Sequence, residues 1–161
     1  MKAEGSEVWL REVMQEDLEI FFTHQQDSDA NHMAAFTAED PTDHAAFLDK
    51  WSKLLQNDTI IKRTILVEGK PAGHIVKFVQ IDEPAISYWI GREFWGRGVA
   101  TRALALFLDL VRERPLYALA AKDNIASIRV LQKNGFRIIG EGKGYAHARG
   151  ADVEEYILKL D

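Results

Sequence analysis

The stretch of this chain best suited to chemistry is Gly91-Arg92-Glu93-Phe94-Trp95-Gly96-Arg97-Gly98-Val99-Ala100-Thr101. Gly96, Gly98 and the small Ala100 let the main chain approach a ligand where a larger side chain would stand in the way. An amphipathic run begins near Val99 without a Ser, Asp or Asn to cap it, so its first N–H groups are left free. Free amides at the positive end of a helix make an anion site, and phosphate is the usual occupant. Arg92, Arg97 and Arg102 flank the same turn and add positive charge. A diphosphate suits this arrangement.

Other phosphate loops can be tested on the residues. A Walker loop needs a Gly-Lys-Ser/Thr ending, and none occurs. A dinucleotide fingerprint needs Gly or Ala three places after the second glycine, where Thr101 stands. Its acidic ribose partner would fall near Arg112-Glu113-Arg114, a weak match. The plain alternative is a tight strand-to-helix turn whose glycines only permit the bend.

A loop of this kind needs a strand before it and a helix after it. Residues 85–90 read as the strand, and Ala100, Leu104, Phe107, Leu108 and Val111 form one face of the helix. Pro115 stops that helix, and residues 116–121 read as a short apolar strand. Asp123-Asn124 opens another helix, with Ile125, Ile128 and Leu131 inward and Gly135 as its left-handed cap. Residues 136–139 and 153–160 are the last strands, joined by a Gly-rich stretch over 140–150. Upstream, Val8-Trp9-Leu10-Arg11 begins a strand, and Leu18, Ile20, Phe21 and Phe22 mark a helix. Residues 27–40 read as loop or broken helix. Asp40-Pro41-Thr42-Asp43 opens a second helix carrying Phe47, Leu48, Trp51, Leu54 and Leu55 at helical spacing. Strands over 59–67 and 72–80, around Glu68-Gly69-Lys70-Pro71, predict a hairpin. The whole reads as a mixed α/β sheet in a single domain, residues 1–161.

Composition narrows the partners. The 161 residues carry a net charge of −5, which argues against a general nucleic-acid binder. There is no Cys, so disulfides, thiolate metal sites and a cysteine nucleophile are excluded. The five histidines show no ligand spacing, and no metal is expected. Neither a signal peptide in the first seven residues nor a membrane-length apolar run is visible, so no membrane partner and a cytoplasmic location are expected.

A second segment sharpens the reading. Trp95-Gly96-Arg97-Gly98-Val99-Ala100-Thr101 resembles the Gln/Arg-x-x-Gly-x-Gly/Ala loop of the GNAT superfamily, the acyl-CoA-dependent N-acetyltransferases. Trp95 stands where Gln or Arg is commonest. Asn124 and Ser127, followed by Asn134-Gly135-Phe136, resemble the next helix of that family and its exit. The order of elements fits over most of the chain. The resemblance is closest to the branch with ribosomal-protein N-terminal acetyltransferases, where Trp before Gly-x-Gly is common.

The resemblance implies a mixed, mostly antiparallel central sheet with helices on both faces, splayed at a cofactor cleft between Ile90 and the strand over 116–121. Acetyl-CoA would be the co-substrate. Its pantetheine arm would pair with backbone groups of Tyr88, Trp89 and Ile90, because two buried amides need partners. The diphosphate would rest on the turn of Trp95, Gly96, Arg97, Gly98, Val99, Ala100 and Thr101. Asn124 could bond the arm through its side-chain amide. A primary amine, on a small molecule or a peptide, would attack the thioester directly. A backbone N–H around Ile90 would face the oxyanion, and Ser127 would protonate the leaving sulfur. Many family members use a Tyr further along this helix, but here Val130, Leu131 and Gln132 occupy the place. Ser127 bonding its own helix is the alternative. His74, Glu83, Tyr145 and His147 are candidate bases, each with a structural alternative. Asn31 to Thr37 is a plausible acceptor wall, and residues 143–150 a lid or a hairpin. A homodimer is expected by resemblance alone. A non-catalytic CoA-binding sensor is the rival reading.

Overall fold

Seven strands pair into one sheet in the order β1-β2-β3-β4-β5-β7-β6. The computed structural model describes residues 7–161, so the first six residues, part of the stretch read for an export signal, lie outside the described region. In chain order the elements are β1 (Val8–Glu12), α1 (Asp17–His24), α2 (Ser28–Ala34), α3 (His44–Gln56), β2 (Ile61–Val67), β3 (Lys70–Gln80) and β4 (Glu83–Ile90). After a single 3-10 turn, Arg92–Phe94, come α4 (Val99–Leu110), β5 (Leu116–Ala121), α5 (Ile125–Lys133), β6 (Arg137–Ala146) and β7 (Ala151–Leu160).

Every neighbouring pair is antiparallel except β4 and β5, which run parallel. That parallel pair touches in register only at Ala85 and Tyr117. Beyond it the two strands diverge. The sheet is therefore mixed, mostly antiparallel and splayed in its middle, as the resemblance implied.

Apolar side chains alternate across the strands and fill both faces. On one face α4 and α5 bring Val99, Leu104, Phe107, Ile128 and Leu131 against Ile75, Ile86, Leu116 and Leu158. On the other, Leu18 and Phe21 of α1 meet Phe47 and Trp51 of α3 over Val76. Trp51 is thus core, 3% exposed. The α1 side is locked by a buried carboxylate. Arg11 grips Asp17 with two bonds of 2.7 and 2.9 Å, and the Thr64 hydroxyl adds a third at 2.6 Å.

The structure departs from the sequence reading at Ile125, expected inward on α5 but 50% exposed, and it settles or shifts three segments. Of the two readings of residues 27–40 the broken helix holds: residues 28–34 are helical, started by the Asp27 side chain, which accepts from the Asp29 and Ala30 amides. Asn57 accepts from the Thr59 amide and hydroxyl, and this turn delays β2 to Ile61. The Gly-rich stretch is largely strand: β6 continues to Ala146 and pairs with β7 along its length. Among the described residues no helix is long and apolar enough to cross a membrane.

Candidate cofactor cleft

The divergence of β4 from β5 leaves Tyr88, Trp89 and Ile90 paired on one side only, with Ile75, His74 and Gly73 of β3. Gly73 is required there. A Cβ on it would lie 2.0 Å from the Trp89 carbonyl oxygen. Antiparallel strands turn successive N–H groups to opposite sides. The Gly91 amide donates to the Ala72 carbonyl at 2.8 Å, so the Ile90 amide turns the other way, toward the gap. The Ile90 carbonyl accepts from the Trp95 indole N–H at 2.8 Å. Trp95 thereby ties the end of the open strand to the turn that follows.

The gap is a cleft of about 340 Å³. Tyr88, Trp89, Ile90, Trp95, Gly96, Gly98, Val99, Ala100, Thr101, Asn124 and Ser127 all line it. Of the cofactor-binding residues expected from the resemblance, Arg97 alone is absent from the lining; its guanidinium lies over the Phe94 ring, 5.6 Å from the centroid. Sequence reasoning also missed lining from Ala30, Phe94, Ala126 and Val130. Val130 sits one turn beyond Ser127 and four residues from Ala126, a periodicity that could have found both.

At the floor of the cleft, Gly96 and Gly98 adopt positive φ of 74° and 71°. Gly98 is the N-cap of α4 and makes no side-chain cap, so the first amides of that helix are uncovered. The Arg102 guanidinium lies beside it: Nη1 would be 3.6 Å from a Cβ on Gly98, and Nη2 donates to the Arg97 carbonyl at 2.7 Å. Arg102 Nε is buried without a partner. A bare helix start, a half-buried guanidinium and a missing Cβ together fit a diphosphate. Arg92 does not contribute as expected. It is held by Asp27 and Asp29, each at 2.6 Å, and its bonds keep the Asp27 carboxyl at about 2. Its charge is spent on anchoring α2.

Across the cleft, α5 presents Asn124 and Ser127. Asn124 is the N-cap, its side-chain oxygen accepting from the Ser127 amide at 3.3 Å. That use leaves its NH2 group as the donor it can offer a ligand. The Ser127 hydroxyl meets the Tyr88 hydroxyl at 2.8 Å, and burial pushes the Tyr88 phenol up to about 12. At the helix exit Gly135 takes φ 94°. Asn134 donates to the Thr101 carbonyl at 3.2 Å, which fastens the end of α5 to the start of α4.

The candidate bases are scattered. His74 is packed between Phe21 and Trp51, with ring centroids at 4.8 and 5.0 Å. Burial, with Lys50 and His24 nearby, pushes it down to about 3, so the ring is neutral and a weak proton acceptor. Glu83 opens β4, at the end away from Ile90. Tyr145 and His147 stack edge-on at 5.2 Å by the β6–β7 turn. His24, weighed in the sequence only as a metal ligand, lies against Gly91, where a Cβ would come within 2.6 Å of its Nε2. Its Nδ1 is buried without a partner, and burial lowers its pKa against the opposing pull of Glu93.

The expected acceptor wall is split. Met33 and Ala34 line the cleft, whereas Asn31 is buried and donates to the Gln25 and Asp27 carbonyls. Phe36 packs over Gly144 of β6. The β6–β7 turn is a fastened hairpin: Arg149 pairs with Asp123 at 2.7 Å and donates to the His32 carbonyl at 2.7 Å.

Comparison with known proteins agrees with this geometry. Residues 7–137 match the family model described as "Acetyltransferase (GNAT) domain". The chain is 28% identical over 142 residues to the spermidine N(1)-acetyltransferase of Escherichia coli K12, covering 83% of this chain and 75% of that one. It superimposes on Mycobacterium smegmatis RimJ, solved with CoA-disulfide, with a TM-score of 0.80 at 24% identity, over 98% of this chain and 82% of that one. Vibrio cholerae spermidine N-acetyltransferase, solved with CoA and spermine, gives 0.81 at 14% identity, over 95% and 94%. With the family model spanning most of its length, the chain belongs to the GNAT acetyltransferase family and is an N-acetyltransferase that takes acetyl-CoA as co-substrate.

Proposed function

We propose that the acetyl group passes directly to a primary amine on a small molecule, within the cleft between β4 and α5. The observation that carries this reading is the convergence of an unpaired strand end, Tyr88 to Ile90, with the uncapped start of α4. An extended amide-bearing arm completes the first, and a diphosphate settles on the second. The Ile90 amide is the donor for the charge that grows on the thioester oxygen. One such donor is worth about 10²–10³ in kcat. Asn124 steadies the arm, and Ser127 supplies the proton to the departing sulfur.

Spermidine is the first acceptor to try, because the curated relatives act on it and the apolar Met33 and Ala34 suit a methylene chain. A cytoplasmic setting, where acetyl-CoA is made, and a homodimer complete the proposal. The test is thiol release from acetyl-CoA with a panel of spermidine, spermine, an arylalkylamine and a short peptide. Release with a small amine, and less with the peptide, supports the reading. Tight binding of acetyl-CoA with no release from any amine would favour a CoA-binding sensor instead.

A further inference from the structure

A serine in the first turn of a helix commonly turns its hydroxyl back to its own backbone. Ser127 does not do so among the described bonds. Its Oγ meets the Tyr88 hydroxyl at 2.8 Å, from a strand 39 residues earlier, and the Tyr88 hydroxyl also lies 3.4 Å from the Ser127 carbonyl. The Oγ contact is the shorter of the two, and either hydroxyl can be its donor. When the phenol gives its proton to Oγ rather than to the carbonyl, the serine's own O–H is free to turn into the cleft that both residues line. Among the described lining residues, only Thr101 carries another hydroxyl, and it belongs to the first turn of α4.

We propose that the Tyr88 side chain is a positioning residue of the acetyl-transfer step, holding the Ser127 hydroxyl with its proton toward the cleft and resupplying that proton. The proposal rests on Ser127 acting as the acid in the reading above. The amine nitrogen forms its bond to the acetyl carbonyl carbon, and the tetrahedral intermediate then collapses. The C–S bond breaks and its electron pair goes to sulfur, which takes the Ser127 proton. The serine oxygen takes the phenol proton, and solvent returns one to Tyr88. The amine nitrogen loses one proton to solvent in the same turnover, so none is gained or lost overall. Burial supports this role by keeping the phenol protonated across the neutral range. The two hydroxyls also bridge β4 to α5, the elements on opposite sides of the cleft.

Tyr88→Phe removes the hydroxyl and keeps the packed ring. With the amine that releases most thiol in the panel, kcat should fall about 10- to 100-fold, at or below the lower end of the range for a group that transfers the proton itself. The dissociation constant for CoA, measured by calorimetry, should stay within about twofold, since the proposal assigns the phenol no part in binding. Tyr88→Phe combined with Ser127→Ala should be no slower than Ser127→Ala alone, because one hydroxyl acts through the other. Ser127→Thr, which keeps a hydroxyl, should recover most of the turnover that Ser127→Ala loses. The solvent isotope effect on kcat should shrink in Tyr88→Phe. Wild-type kcat in Tyr88→Phe, or losses that multiply in the double variant, would overturn the proposal. Should Tyr88→Phe prove unfolded by circular dichroism, the Ser127→Thr recovery and its isotope effect decide the matter. Unchanged turnover in Ser127→Ala instead overturns the acid role on which the proposal stands, while leaving acetyl transfer itself intact.

Discussion

Replacing Gly98 by Glu probes the phosphate turn most directly. Gly98 holds φ 71°, and a non-glycine residue pays about 1–2 kcal/mol for that conformation. The added Cβ itself finds room, since its nearest neighbour is Arg102 Nη1 at 3.6 Å, an ordinary contact. The variant should therefore fold with reduced stability. Its carboxylate, however, enters the space before the uncapped amides of α4 and beside Arg102, and competes for the groups assigned to the diphosphate. A hydrogen bond to a charged group contributes about 1.5–3 kcal/mol, so losing two costs about 3–6 kcal/mol. At 1.4 kcal/mol per decade this is about 10²- to 10⁴-fold in the dissociation constant of CoA, read by calorimetry. Acetyl-pantetheine, which lacks the diphosphate, should be turned over by Gly98→Glu at close to the wild-type rate. Gly98→Ala should shift CoA affinity by less than about tenfold, since it adds strain without charge. A folded Gly98→Glu that binds CoA like wild type would refute the placement of the phosphates. Equal losses with both donors would mean damage to the fold instead.

Two further outcomes test the frame around the cleft. Gly73→Ala sets a Cβ 2.0 Å from the Trp89 carbonyl oxygen, backbone that cannot swing aside, and should lower stability by about 1–3 kcal/mol or more. An unchanged urea midpoint would contradict the close approach of β3 to β4. Asp17→Asn tests the lock beside α1. Burial alone would push the Asp17 carboxyl up, but hydrogen bonds from Arg11, Thr64 and the Met14 amide outweigh it and hold it below the usual carboxylate range. A carboxyl depressed in the folded state stabilises above its unfolded pKa, and that stability is lost as pH falls through the folded value. Asp17→Asn should therefore flatten the acid limb of a stability-versus-pH curve, and an identical acid limb would count against the lock.

The parts that line the cleft were legible because their signals are local. Glycines at 96 and 98, a helix with no cap and an Asn three places before a Ser are all read within a few residues. The supporting parts were not, because distant residues decide them. Helix α2 is short, and Asp27, its N-cap, is fixed by Arg92 from 65 residues away. Nothing between residues 27 and 40 announces that partner. In β6, Gly140, Gly142 and Gly144 alternate with Glu141, Lys143 and Tyr145, and glycine is a poor strand former. Their open face receives other parts of the fold: Ile157, Glu155 and Phe36 stand within 3.5–3.7 Å of the absent Cβ atoms. The stretch reads as a linker until those neighbours are known. The partner of Ser127 was hidden for the same reason: Tyr88 was read for its backbone alone, and only the packing of β4 against α5 brings its hydroxyl to the serine.

Unpaired strand edges ordinarily invite other chains to add themselves, and many sheets spend charge or proline to discourage it. In this molecule two edges meet at Ala85 and Tyr117 and then part, so the bare stretches of β4 and β5 face one another inside a narrow notch. A notch of about 340 Å³ has the size for one slender extended chain and not for a second sheet. Shelter of that kind lets the proposed cofactor site keep raw backbone on offer without becoming sticky to its neighbours.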